Sequence, residues 1–429
     1  DGRAMPFIDY QWYTLAPPGR SVLAPGETSP AQQWAFVVPA GVTAFQFTVT
    51  VEAATGVLVP VEGLSGAGSP NVMVTTVAGR GSGGFANGAG LQAAFHRPVP
   101  TPDGYGNLYV ADFDNHAIRR VDANGLVTTI AGNGAYGTVD GAGNVARLNA
   151  PTKVAVAPGG RVLYIADCCS HRILRMAVTD GADPALSASW TVSTIAGYYD
   201  NPTNTYAEGI GSSARFYHPV SLVLTAAGDL YVLEGAGRIR LVRFVGGDPA
   251  SSASWQVSLL AGDATSLAGS AGTADGTGGA ARFSDPGDLT VDVSGYLYVA
   301  DSGSNRIRKV SPAGVVTTLA GPTGTAAEAG YVDGAAGVAR FDAPVGVVGD
   351  SAGYLFVADR NNNRVRRISP SGVVSTVAGT GASGGLDGPG QVATFHYLRG
   401  VSCDTDGALF VGEDGVGRIR KIQRIIGAG

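Results

Sequence analysis

The sequence predicts an all-β fold: a six-bladed β-propeller closed by an N-terminal strand, with a short β-rich segment in front of it. Three observations carry that expectation. One unit recurs six times along 429 residues, glycine is abundant at 65 residues while charged residues are only 15%, and the two ends of the repeat array complement each other.

The repeat has three markers. Ala-Gly steps fall at Ala78-Gly79, Ala131-Gly132, Ala196-Gly197, Ala261-Gly262, Ala320-Gly321 and Ala378-Gly379. An "LYVAD"-like block starts at Leu108, Leu163, Leu230, Leu297, Leu355 and Leu409. An "NRIRKV"-like block places its strand at Ala117, Arg172, Arg238, Arg306, Arg364 and Arg418. Each unit reads as four short strands bounded by Gly, Pro, Asn and Asp, and radial repetition of such a unit is a propeller. A solenoid has shorter repeats and needs capping ends. Here the last unit stops after its third strand at Ile422, while an orphan fourth strand, residues 73–77, precedes the first. Pairing the two completes six blades and removes an open sheet edge.

The blocks "LYVADSGSNRIRKVSPAGVVTTLAG" and "LFVADRNNNRVRRISPSGVVSTVAG" resemble NHL repeats, and the resemblance covers about residues 72 to 425. It implies the fold; NHL propellers include enzymes, protein-binding and RNA-binding modules, and extracellular structural domains. The expected organisation is a β-rich segment and linker over residues 1–70 and the propeller over 71–429. In the segment, Phe45, Phe47, Val49 and Val51 alternate with polar or small residues, a half-buried strand pattern. It is similar to closing strands of sandwich modules in secreted bacterial proteins. Two or three strands cannot bury a core alone, so packing on the propeller, or on a neighbouring subunit, is expected.

Net charge −5 and pI near 5.5 argue against nucleic acid, which needs a basic face. No apolar run is long enough for a membrane span, so no membrane insertion is expected. The three cysteines are too few for a disulfide framework; adjacent Cys168 and Cys169 are compatible with either two thiols in a turn or a vicinal disulfide. Motifs for triad hydrolysis and phosphate chemistry are absent.

Pockets are expected at the mouth of the central channel, where the long loops entering the first strands converge. Each loop carries a polar residue before Gly: Asn87, Asp140, Glu208, Asp275, Asp333 and Asp387. Because the pattern recurs in every blade, it reads as a cap on a helical turn rather than a ring of calcium or sugar ligands. The acids ending the second strands (Asp112, Asp167, Glu234, Asp301, Asp359, Glu413) face the arginines that open the third strands, a bridge expected to brace each turn. Residues that break the repeat are better candidates for a site. His96, His218 and His396 lie beside the channel, with Tyr217 and Tyr397 next to two of them and Asp285 and Asp342 in corresponding loops. Three neutral imidazoles suit zinc, and the resemblance implies the same for lyase-type NHL enzymes; packing of these histidines beside the tyrosines is the plainer expectation. Insertions before the fourth strands of blades 2 and 3 place Trp190 and Trp255 on the rim, as a protein or glycan contact or as covers of their own blades. Together these features predict a secreted or cell-surface binding and scaffold module without a cofactor, contacting a protein partner, a neighbouring subunit or a glycan. The alternative is a lyase or hydrolase assisted by zinc or calcium at the mouth.

Overall fold

The computed structural model describes residues 72–199, 206–264, 271–324 and 326–424. The expected segment 1–70 lies outside them. The described residues form six antiparallel sheets arranged as blades. Blade 1 runs Pro98–Pro102, Leu108–Asp112, Ala117–Val121 and Leu126–Ala131 from the axis outward, and blades 2 to 5 repeat the order. Blade 6 takes Leu398–Cys403, Leu409–Glu413 and Arg418–Arg424 from the end of the chain and Val72–Ala78 from its start, the last two paired antiparallel. No helix among the described residues is long and apolar enough to cross a membrane.

The second strand of each blade is apolar on both faces because blades stack face to face. In blade 1, Leu108 and Val110 pack towards blade 6, while Tyr109 and Ala111 pack towards blade 2. The alternation of a strand thus becomes two cores, one on each side.

Every outer strand carries a one-residue bulge, at Val77, Ile130, Ile195, Leu260, Leu319 and Val377. The long loops do not simply run inward. In five blades they first add a two-residue strand outside the outer strand, such as Gly88–Ala89 on Val127 and Leu126. The loop acids consequently serve the bulge, not a helical turn. Asp387 accepts from the Thr76 amide and hydroxyl, each at 3.0 Å; Asp140, Asp275 and Asp333 do the same for Thr194, Thr318 and Thr376. They sit at the outer edge and cannot form a ring at the channel.

The second acidic ring keeps the expected bridge to the opening arginine in blade 2 (Arg172–Asp167, 2.8 Å) and blade 3 (Arg238–Glu234, 3.3 Å), but is otherwise wired differently from expectation. Its main partner is the third residue of the third strand: Arg119, Arg240, Arg308, Arg366 and Arg420 pair with Asp112, Glu234, Asp301, Asp359 and Glu413 at 2.7–3.1 Å, all with buried side chains. The two-residue period puts both the first and the third residue of the strand on the acid's face; the third reaches the acid, while the first turns to loop carbonyls, as Arg306 does to Pro322 and Gly324. Each guanidinium lies over the loop phenylalanine of its blade, Phe95, Phe216, Phe283, Phe341 or Phe395, 5.1–5.3 Å from the ring centre. Blade 2 has Leu148 for the Phe and Leu174 for the Arg, and there Arg172 takes over, holding Asp167 at 2.8 Å and Asp140 at 3.1 Å. Burial outweighs the cation and pushes Asp167 and Asp359 up to about 6.

Neighbouring blades clasp through a strained residue. The residue before each inner strand (Arg97, Ala150, His218, Asp285, Ala343, Tyr397) has φ of +45° to +61°, five of them before proline, where helical backbone is disfavoured. In four cases its amide is held by a turn side chain of the preceding blade: Ala150 by His116 Nδ1 (3.0 Å), His218 by His171 Nδ1 (3.1 Å), Ala343 by Asn305 Oδ1 (2.8 Å) and Tyr397 by Asn363 Oδ1 (2.9 Å).

This clasp has a pH signature. His116 can accept only when neutral, and burial lowers its pKa from 6.5. Near pH 6.5 the unfolded chain therefore takes up a proton that the folded ring refuses. The stability from neutral His116 is complete above 6.5 and is lost as pH falls through the lower folded value. In His116→Asn the amide oxygen accepts at any pH. Urea midpoints of wild type minus variant should be constant above pH 6.5 and decline below it; a constant difference down to pH 5 would remove the clasp from His116.

Trp190 and Trp255 are not on the rim. Both are fully buried, each edge-on to a tyrosine of the preceding blade, Tyr109 at 5.8 Å and Tyr164 at 5.7 Å. The insertions curl back so that Pro184 and Pro249 carbonyls accept the indole N–H at 2.9 and 3.0 Å. Large aromatic area is worth more between blades than in water, and the rim contact predicted for these residues falls away.

Candidate functional site

The mouth is built from two sets of residues: the strained position before each inner strand and the short turn after each second strand. Their backbones interlock, as in Asp114 N–H to His96 O and Asp414 N–H to Tyr397 O. The inner strands form the wall below.

On the side of blades 5, 6 and 1, three arginines converge on one carboxylate. Arg97 and Arg360 reach Asp414 at 2.7 and 2.5 Å, and Arg399 at 3.8 Å. Arg97 also lies 3.8 Å from Asp114. Asp414 is buried whereas Arg97 and Arg360 are half-buried and reach the opening. Burial, with Arg97 adding repulsion, lowers the pKa of Arg399 to about 10, and its guanidinium rests on the Phe113 ring at 4.5 Å. Three cations around one buried acid leave positive potential that a ligand carboxylate can use. The cavity beneath has a volume of about 320 Å³ and is lined by Arg97, Lys153, Asp285, Asp288, Arg360 and Arg399, among others. Lower still, Lys153 pairs with Asp288 at 2.9 Å across the channel, and Asp288 also accepts from Ser221 Oγ and the Val347 amide.

The residues predicted for the mouth are there but do not form one constellation. His96 and Tyr397 line a shallow pocket with Arg97, Arg360 and Asp414. His96 is exposed, 3.5 Å from Asp114; His396 stands edge-on to Tyr397 with its Nδ1 buried and unpartnered. Asp285 is exposed, and Asp342 accepts from Asn361 Nδ2. Tyr217 and His218 belong to another cluster with His171 on the seam of blades 2 and 3. Among the described residues, His96, His218 and His396 do not come within metal-ligand range of one another; the three-donor group that does is Cys168, Cys169 and His218.

Sequence reasoning missed Arg97, Arg360, Arg399, Asp414 and Lys153, although the repeat carries the signal. The second residue of the inner strands reads Val99, Thr152, Val220, Gly287, Val345 and Arg399. The first residue of the turn reads Phe113, Cys168, Gly235, Ser302, Arg360 and Asp414. A charge at a position that is small or apolar elsewhere marks a side chain not needed by the frame.

The NHL repeat family model matches residues 283–310. The chain is 30% identical over 306 residues to the chloroplastic Protein SUPPRESSOR OF QUENCHING 1 of Arabidopsis thaliana, covering 69% of this chain and 27% of that protein. It is 30% identical over 312 residues to NHL repeat-containing protein 2 of Bos taurus, covering 66% of this chain and 40% of that protein. The chain thus spans well under half the length of these relatives. Among solved structures, a protein of unknown function from Bacteroides thetaiotaomicron superposes with TM-score 0.59 at 20% identity, covering 82% of this chain and 76% of that one. An auxiliary nutrient binding protein from the same organism gives 0.57 at 17%, covering 83% and 77%.

Proposed function

The chain belongs to the NHL-repeat β-propellers, and from that premise we propose that it is an extracellular recognition module that grips an acidic side chain of a protein partner at the channel mouth. One observation carries this reading: Arg97, Arg360 and Arg399 gather around the single buried Asp414. Asp285 in the same cavity and Asp342 beside the turn that carries Arg360 disfavour a polyanion, so an isolated carboxylate among neutral or basic residues fits better than a sulfated glycan or nucleic acid. The low charge and abundant Gly, Ser, Thr and Ala support a secreted or cell-surface setting, with the ring as a rigid frame. The metal-assisted lyase reading has no comparable support, because its three histidines stand apart.

An array of acidic, neutral and basic peptides beside a glycan array tests this. Binding should be confined to peptides with isolated Asp or Glu and should fall at least about tenfold in Arg360→Ala, as for loss of a charged contact worth about 1.5–3 kcal/mol. Binding only to glycans, or acidic-peptide binding unchanged in Arg360→Ala, would overturn it.

A further inference from the structure

Across the mouth from the arginines, on the seam of blades 2 and 3, the donor atoms of Cys168, Cys169 and His218 all lie within 4.8 Å of one another. Cys168 Sγ is 3.6 Å from His218 Nδ1. That is the edge expected for a tetrahedral ion with a metal–sulfur bond of about 2.3 Å and a metal–nitrogen bond of about 2.05 Å, which span about 3.6 Å. Both cysteines are unbonded.

The three donors are held in place by the frame. Cys168 and Cys169 occupy a single turn of 3-10 helix, with their amides on the Ala150 and Asn149 carbonyls at 3.3 and 3.0 Å. The His218 backbone is fixed at φ +47° with its amide on His171 Nδ1, and its ring is wedged edge-on between His171 and Tyr217 at 4.6 and 4.7 Å. Cys168 is buried, while Cys169 and His218 are half-buried and reachable from the mouth.

The frame itself does not require these side chains. The position of His218 is Arg97, Ala150, Asp285, Ala343 and Tyr397 in the other blades, and the turn pairs are Phe113-Asp114, Gly235-Ala236, Ser302-Gly303, Arg360-Asn361 and Asp414-Gly415. Thiols and an imidazole coincide in one blade seam alone.

We propose that Cys168, Cys169 and His218 form a binding site for one borderline-soft ion of the zinc class, with its fourth position open to the channel mouth. Two sulfurs and one nitrogen select zinc over calcium or magnesium. The ion replaces the protons of two thiols, which pass to solvent, and binds neutral His218. This site is independent of the arginine cluster and of the partner proposed for it.

The test uses the full chain, reduced, stripped with a chelator and desalted, then titrated with zinc or cadmium. One ion per chain should remain by elemental mass spectrometry, and cadmium should give the ultraviolet thiolate-to-metal charge-transfer band. Both should vanish in Cys169→Ser and in His218→Ala and persist in Cys403→Ser and His96→Ala. As a measurement independent of those variants' folding, zinc should slow alkylation of Cys168 and Cys169 in the wild type and leave Cys403 unaffected. No stoichiometric ion in the reduced wild type, or retention in folded Cys169→Ser or His218→Ala, overturns the proposal. So does unchanged alkylation.

Discussion

Replacing Arg420 with Ala is expected to cost the fold about 3–5 kcal/mol, the usual loss when one partner of a buried ion pair is removed. Arg420 bonds Glu413 Oε1 at 3.1 Å and Asp387 Oδ1 at 2.7 Å, and its remaining N–H groups reach the Thr394 and Leu386 carbonyls. Without it, Glu413 is a fully buried carboxylate with no cation at bonding distance, and its pKa is already raised by burial. The damage falls on the ring closure as well, because Asp387 is the residue that clamps Thr76 of the closing strand. Arg418→Ala is the matched control: it opens the same strand, but Glu413 is held by Arg420 instead, so a loss under about 1 kcal/mol is expected. Urea midpoints at constant m-value decide the matter, and equal losses in the two variants would show that the wrong arginine has been assigned.

Trp190→Ala should be as severe, about 3–5 kcal/mol. The side chain is fully buried in the core shared by blades 1 and 2, and its loss leaves a large cavity beside Tyr109 and an orphaned Pro184 carbonyl. An indole on the rim would predict a change under about 0.5 kcal/mol. The two readings of this residue are therefore separated by a single denaturation curve.

The repeat made the blades, their number and their closure legible, since the Ala-Gly steps, the "LYVAD" strands and the orphan strand all follow from strand periodicity. What stayed hidden were the partners of charged residues. Asp301 has Arg306 and Arg308 as candidates on one face of one strand, and only the direction each side chain takes selects Arg308, since Arg306 turns to the Pro322 and Gly324 carbonyls. Trp190 was misplaced for a related reason: an insertion reads as an exposed loop, whereas here it folds back under its own indole. The mouth was legible by location, yet its arginines were obscured because Arg is already frequent in the repeat. His218 was singled out by sequence with the wrong companions, as the blade seam joins it to Cys168 rather than to His96 or His396.

The Lys153–Asp288 pair gives the axis of the ring a floor. A chain entering at the mouth meets a crossbar joining blades 2 and 4, and Ser221 and the Val347 amide tie that crossbar to blades 3 and 5. The crossbar therefore divides the central opening: Lys153 lines both the cavity of about 320 Å³ under the mouth and one of about 200 Å³ towards the other end of the inner strands. The upper cavity has the size for the tip of a loop or one projecting side chain.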